Sequence, residues 1–217
     1  MDNLYRTHTL LFGDVGTEAG DLATARAVFI PMPLEYTVCY GKGTAAGPQA
    51  ILAASHQMDL YDEETDMVPA DNGIATLAPL DFSDLSHAEA LERIHDAVAA
   101  VLAHGQLPVA LGGEHSLTPP CVRAVQESTD HAPLGVIQFD AHGDLRSEFE
   151  GTPLSHASAM RRTLEIPGVD LLEVGIRSMS VEEREALREG QIQAHVLWAH
   201  ELAAGRADFA EALATLP

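Results

Sequence analysis

Lysine is almost absent from this sequence. Lys42 is the only one, eleven arginines complete the 12 basic residues, and 33 acidic residues oppose them in a chain of 217. The formal net charge of -21 removes the basic footprint that non-specific nucleic-acid binding needs, so no nucleic-acid partner is expected. Cysteine is scarce as well: Cys39 and Cys121 are too few for a disulfide framework and too far apart for a Cys-x-x-Cys site. No apolar run approaches the ~20 residues of a membrane span, and no membrane partner is expected. The start, Met1-Asp2-Asn3-Leu4-Tyr5-Arg6, has no basic segment leading into an apolar one and does not read as a signal peptide. These absences leave a reduced, cytoplasmic protein as the expectation. What is present suits it: 46% hydrophobic residues, interrupted by charge, supply the core of one α/β domain. The acidic surplus reads either as a solubilising surface or as a field that draws a cationic substrate to a cleft.

Apolar runs alternate with amphipathic stretches, the pattern of βαβ units and a mostly parallel sheet covered on both faces. Ala27-Val28-Phe29-Ile30 reads as a buried strand ended by Pro31 and Pro33, and Pro48 to Ala54 as a helix with proline in its first turn. Ser86-His87-Ala88-Glu89 has capping-box spacing and opens a helix with Leu91, Ile94, Val98, Val101 and Leu102 on one face, stopping near Gly105. Further strands are expected at Pro108 to Leu111, Leu134 to Phe139, Leu171 to Ile176 and Ala194 to Trp198. Helices are expected from about Leu117 to Glu127, from His156 to Leu164, after the cap Ser180-Val181-Glu182-Glu183, and from Arg206 to Leu213. The acidic loop Tyr61 to Ala75 is expected to be a mobile surface segment.

In parallel sheets, functional groups gather beyond the carboxyl ends of the strands. Two strand ends here carry chemistry: Gly112-Gly113-Glu114-His115-Ser116 and Asp140-Ala141-His142-Gly143-Asp144. Residues two apart in an extended stretch project to the same side, so Asp140, His142 and Asp144 point together. Oxygen and nitrogen donors without thiolate suit Mn²⁺, or less selectively Zn²⁺, Fe²⁺ or Co²⁺. Carboxylates can bridge two ions, and such a pair generates hydroxide at neutral pH. A third element, Ser155-His156-Ala157, offers a histidine that could move protons beside such a site, or one that merely caps a helix start. His8, His56, His87, His95, His104, His131, His195 and His200 show no partner pattern and read as surface or core residues.

These motifs, with Gly47-Pro48-Gln49-Ala50-Ile51, Leu145-Arg146 and Gly175-Ile176-Arg177-Ser178, resemble the ureohydrolase (arginase/agmatinase) family across nearly the whole chain, in order. The resemblance implies a three-layer αβα sandwich with a mostly parallel sheet, arginase/deacetylase-like. It implies that His115, Asp140, His142 and Asp144 are four of six ligands to two Mn²⁺ ions, Asp140 bridging, His115 and Asp144 on one ion and His142 on the other. His156 matches the family's active-site histidine, as proton shuttle or substrate-polarising group. The implied reaction is attack of metal-bound hydroxide on a guanidinium carbon, releasing urea and an amine. Arg146 stands where arginases have asparagine, and the stretch through Met160-Arg161-Arg162 resembles bacterial and archaeal agmatinases. Agmatine, giving putrescine and urea, is therefore the expected substrate, with guanidinobutyrate or another linear guanidine as alternatives. A homo-oligomer, trimer or hexamer, is the implied assembly.

The family's third metal motif, Asp-x-Asp-x-x-Asp-Pro, occurs nowhere in this chain. The 217 residues are thus expected to form a single ureohydrolase domain, C-terminally truncated at Pro217. With two ligands left to it, the second ion is expected to bind weakly, and stability and activity to be low. The other reading is a non-catalytic remnant or assembly subunit; a third is another metal-dependent amide hydrolase on the same fold, as the deacetylases related to arginases illustrate.

Overall fold

Short apolar runs and amphipathic stretches produce a βα alternation in the structure, a computed structural model that describes residues 8–15 and 21–217. Met1 to Arg6, where no signal peptide was read, lie outside the described residues. The elements are β1 (Ala27–Met32), α1 (Gly47–Ser55), β2 (Ile74–Thr76), α2 (His87–Ala103), β3 (Leu107–Gly112), α3 (Thr118–Ser128) and β4 (Leu134–Phe139), then α4 (Ala159–Leu164), β5 (Val169–Ile176), α5 (Val181–Arg188), β6 (His195–Trp198), α6 (Ala199–Ala203) and α7 (Phe209–Leu213). The chain divides into two compact units, Met1–Val125 and Gln126–Pro217. Among the described residues no helix is long and apolar enough to cross a membrane.

The first unit holds a three-stranded parallel sheet with β1 between β2 and β3. Val28, Ile30 and Met32, on one face of β1, are fully buried, and on the other face Phe29 is half-buried and Pro31 buried. β1 runs two residues past Ile30, where Pro31 was expected to end it. Proline survives there because β2 pairs only with Ala27 to Phe29, so no neighbour on that side asks for the missing N–H. Leu80 N donates instead to the Pro31 carbonyl at 2.9 Å. β2 itself, expected as loop, is only three residues long, too short to show a period. α2 starts as read: Ser86 Oγ accepts from Glu89 N and Glu89 Oε2 accepts from Ser86 N, closing the capping box. Its Ala90, Leu91, Ile94, Ala97, Val98 and Val101 are buried.

The second unit has the order β4-β5-β6, again parallel. Leu134 to Phe139 pair with Val169 to Val174, and a register shift between Val174 and Ile176 interrupts the pairing with β6. Gly175 occupies that irregularity with φ of 89°, a conformation that favours glycine. β5 packs Leu171 with Leu145, Met160 and Ile192 on one face, and Leu172 and Val174 with Leu197 and Ala212 on the other. The helix expected from His156 divides into a 3-10 turn, His156–Ser158, followed by α4. The tail helix begins only at Phe209, where Asp208 accepts from Ala210 N and Glu211 N.

Each capping box should act as an independent anchor for its helix. Ser86→Ala is expected to lower stability by about 1 kcal/mol, read as a fall in the urea midpoint at unchanged slope.

Candidate metal centre

In the first unit, the chain leaves β3 through two glycines, and the second has no alternative. A Cβ on Gly113 would lie 2.1 Å from the Leu34 carbonyl oxygen, so any side chain would force the two backbones apart. That approach places Glu114, which is buried, against the loop after β1. Its carboxylate accepts from Tyr36 N at 2.9 Å, Thr37 N at 2.7 Å, Thr37 Oγ1 at 2.8 Å and Ser116 Oγ at 2.6 Å. Four donors to one carboxylate fix the turn that presents His115, the first residue of a 3-10 turn. His87 lies alongside, its ring stacked on Tyr36 at 5.0 Å and Nε2 3.1 Å from Ser116 Oγ. Burial holds its imidazole below the ordinary pKa, with Glu114 opposing. His87 was read as unpartnered; only the fold brings it beside this turn.

In the second unit, Asp140 N donates to the Val174 carbonyl as β4 ends. Asp140 Oδ1 accepts from His142 N at 2.9 Å and lies 3.5 Å from His142 Nδ1. The Ala141 carbonyl accepts from both Arg177 N at 2.8 Å and Ser178 N at 2.9 Å, which assigns a task to the Gly175-Ile176-Arg177-Ser178 motif. Asp144 adopts φ of 50°, a left-handed conformation that aspartate enters more readily than most residues. Its carbonyl accepts from Met160 N and Arg161 N at 3.0 and 3.2 Å, and Leu145 N donates to Glu183 Oε1 at 2.8 Å. Held this way, Asp140 and Asp144 bring carboxylate oxygens within 4.8 Å of each other. The His142 side chain is 62% exposed and that of Asp140 31%, so both can reach a ligand from solvent.

His156 begins its 3-10 turn with Nδ1 3.4 Å from Ser155 Oγ and its ring edge-on to Phe149 at 5.8 Å. The Arg146 guanidinium lies over the same Phe149 ring at 5.0 Å, and Arg146 Nε is 3.9 Å from Glu183 Oε2.

Sequence reasoning missed Glu173. It sits fully buried in β5, and neither carboxylate oxygen has a hydrogen-bond partner. Burial first, then the charges of Asp144, Glu183 and Asp140, push its carboxyl up to about 9. A buried polar group left unpaired costs on the order of 1–3 kcal/mol, and like charges add to that. Four carboxylates with Arg146 as the paired cation form an oxygen-rich, electron-rich environment that fits a divalent metal ion. The signal was present: one acid inside the apolar run Leu171-Leu172-Glu173-Val174 occupies a core position that only an unusual environment tolerates.

An arginase-family profile matches residues 25–216. The chain belongs to the arginase family. It is 42% identical over 199 residues to an N(1)-aminopropylagmatine ureohydrolase of Synechocystis sp., covering 89% of this chain and 64% of that protein. It is 34% identical over 168 residues to an agmatinase of Bacillus subtilis, covering 76% and 57%. The agmatine ureohydrolase of Thermoplasma volcanium superposes with a TM-score of 0.74 at 28% identity, over 86% of this chain and 61% of that one. The chain thus spans about 57–64% of the length of these relatives. The α/β fold with parallel sheets is the arginase-family fold.

The raised Glu173 carboxyl has a consequence for stability. Between its ordinary pKa of 4.5 and about 9, the folded metal-free chain holds a proton that the unfolded chain does not. Stability therefore falls as pH rises through that window, by at most about 1.4 kcal/mol per pH unit. Urea midpoints at several pH values in chelator should show this slope, and Glu173→Gln should flatten it.

Proposed function

We propose that this chain carries the catalytic face of a metal-dependent hydrolase of linear guanidines, with agmatine, cleaved to putrescine and urea, as first substrate. The observation that carries the reading is the turn Asp140 to Asp144, in which hydrogen bonds hold two carboxylates together beside an exposed imidazole. His115, Asp140, His142 and Asp144 are the ligands in this reading, with manganese as the metal. Bound manganese supplies a strong nucleophile from water at neutral pH. The chain's own residues do the rest. Asp140 and His142 are mutually oriented through the hydrogen bond from His142 N to Asp140 Oδ1. The Asp144 carbonyl holds the start of α4 through Met160 N and Arg161 N, and so fixes the segment that carries His156. His156 is held edge-on to Phe149, and in this reading its imidazole hands a proton to the leaving amine. The acidic surface favours approach of a cationic guanidine. In this reading the two units form one ureohydrolase domain of a cytoplasmic homo-oligomer, trimer or hexamer.

A second substrate has its own support. The relative at 42% identity is named for N(1)-aminopropylagmatine, which carries the same guanidinium on a longer polyamine tail.

With Mn²⁺ added, urea release should follow agmatine or N(1)-aminopropylagmatine over arginine and guanidinobutyrate. A preference for arginine overturns the substrate assignment. Asp140→Asn should abolish release, and His156→Ala should lower kcat by ~10²-fold or more. Three ligands on one ion against two on the other predict one held ion per chain, and a chain extended through an Asp-x-Asp-x-x-Asp-Pro segment should bind two and turn over faster.

A further inference from the structure

We propose that Glu173 is a positioning residue of the metal centre, a buried carboxylate that acts through Asp140 and Asp144 to strengthen the hold on the ion. The inference rests on the metal-centre reading above and adds a residue to it.

Three observations place Glu173 behind the ligands. A Cβ built on Gly143, between His142 and Asp144, would lie 3.8 Å from Glu173 Oε1. Glu173 pairs across the sheet with Gln138, two residues before Asp140, and paired residues of a parallel ladder share a face. By strand alternation that face also carries Leu171, which packs on Leu145 and Met160, the residues flanking the Asp144 turn. The region is also short of donors. Both oxygens of Glu173 and Oε1 of Gln138 are buried without a partner, while Gln138 Nε2 is spent on the His142 carbonyl at 3.2 Å. Glu183, the next acid along, already accepts from Leu145 N and Ser180 N and faces Arg146. Glu173, unlike Glu183, has nothing to accept from. A folded protein rarely leaves such buried polar atoms without a partner. A cation held by Asp140 and Asp144, with its water, supplies the missing positive charge, and the buried carboxylate in turn deepens the potential that the cation meets.

A residue retained only for packing behaves differently from one retained for charge. Glu173→Gln keeps the shape, removes the charge and brings donors to the orphaned acceptors. It should raise the stability of the metal-free chain and, at the same time, lower its Mn²⁺ affinity by ~10-fold or more. Damage to folding cannot move these two quantities in opposite directions. Mn²⁺ binding to the full 217-residue chain would be read by loss of the free-ion electron paramagnetic resonance signal, and stability by thermal unfolding in chelator. Wild-type chain that binds no Mn²⁺ overturns the metal-centre reading and this inference with it. Wild-type chain that binds, beside a folded Glu173→Gln chain that binds equally well, overturns this inference alone. Should Glu173→Gln not fold by circular dichroism, Glu173→Asp, which keeps the charge and withdraws it by one methylene, takes its place: weaker Mn²⁺ binding supports the assignment, and unchanged binding overturns it.

Discussion

Two carboxylates held within 4.8 Å repel each other, and the turn from Asp140 to Asp144 exists because backbone hydrogen bonds on both sides of it outweigh that repulsion. Asp140 N on the Val174 carbonyl and the Ala141 carbonyl under Arg177 N and Ser178 N tie the turn to the end of β5. The Asp144 carbonyl under Met160 N and Arg161 N ties it to α4. Moving β4 by one residue against β5 would reverse every side chain on it, and the candidate ligands that follow it would leave their place beside Glu173. The β4–β5 register is therefore the constraint from which the second unit's chemistry descends, and the glycine at the β5 irregularity is part of it.

The first unit solves the same problem with a side chain instead of a ladder. Glu114, paired by four donors from the loop after β1 and from Ser116, holds the turn before His115. Glu183 plays a matching part in the second unit: one oxygen completes the α5 capping box at Ser180 N and the other accepts from Leu145 N. In both units an acid beside the candidate ligands is held by donors from neighbouring loops.

Much of this was legible without coordinates, for reasons that differ by residue. The Ser86/Glu89 and Ser180/Glu183 boxes are local, so spacing alone carries them. A glycine pair after a strand permits a close backbone approach, and Gly113 makes one against Leu34. Asp140, His142 and Asp144 were expected to point together by alternation along an extended stretch; Asp140 and Asp144 do meet, but Asp144 is left-handed, which alternation does not foresee. What escaped was non-local or short. β2 has three residues and takes its strand character from pairing with β1. His87 gains its partners from Tyr36 and Ser116, 51 and 29 positions away. Glu173 looked like an interruption of an apolar run, and its meaning depends on which acids the fold brings to it.

The scarcity of lysine acquires a practical meaning once the loop around Lys42 is seen. Glu35 accepts from Gly43 N at 2.7 Å, Ala45 N at 2.9 Å and Thr44 Oγ1 at 3.1 Å, so the loop is latched on one side of Lys42 while the lysine itself stays exposed. On its other side the same loop supplies the donors that Tyr36 and Thr37 give to Glu114. Lys42 carries the only side-chain amine in the chain, so an amine-directed fluorophore would attach there and at the α-amino group alone. The sequence has thereby furnished a nearly unique optical reporter on the segment that buttresses His115.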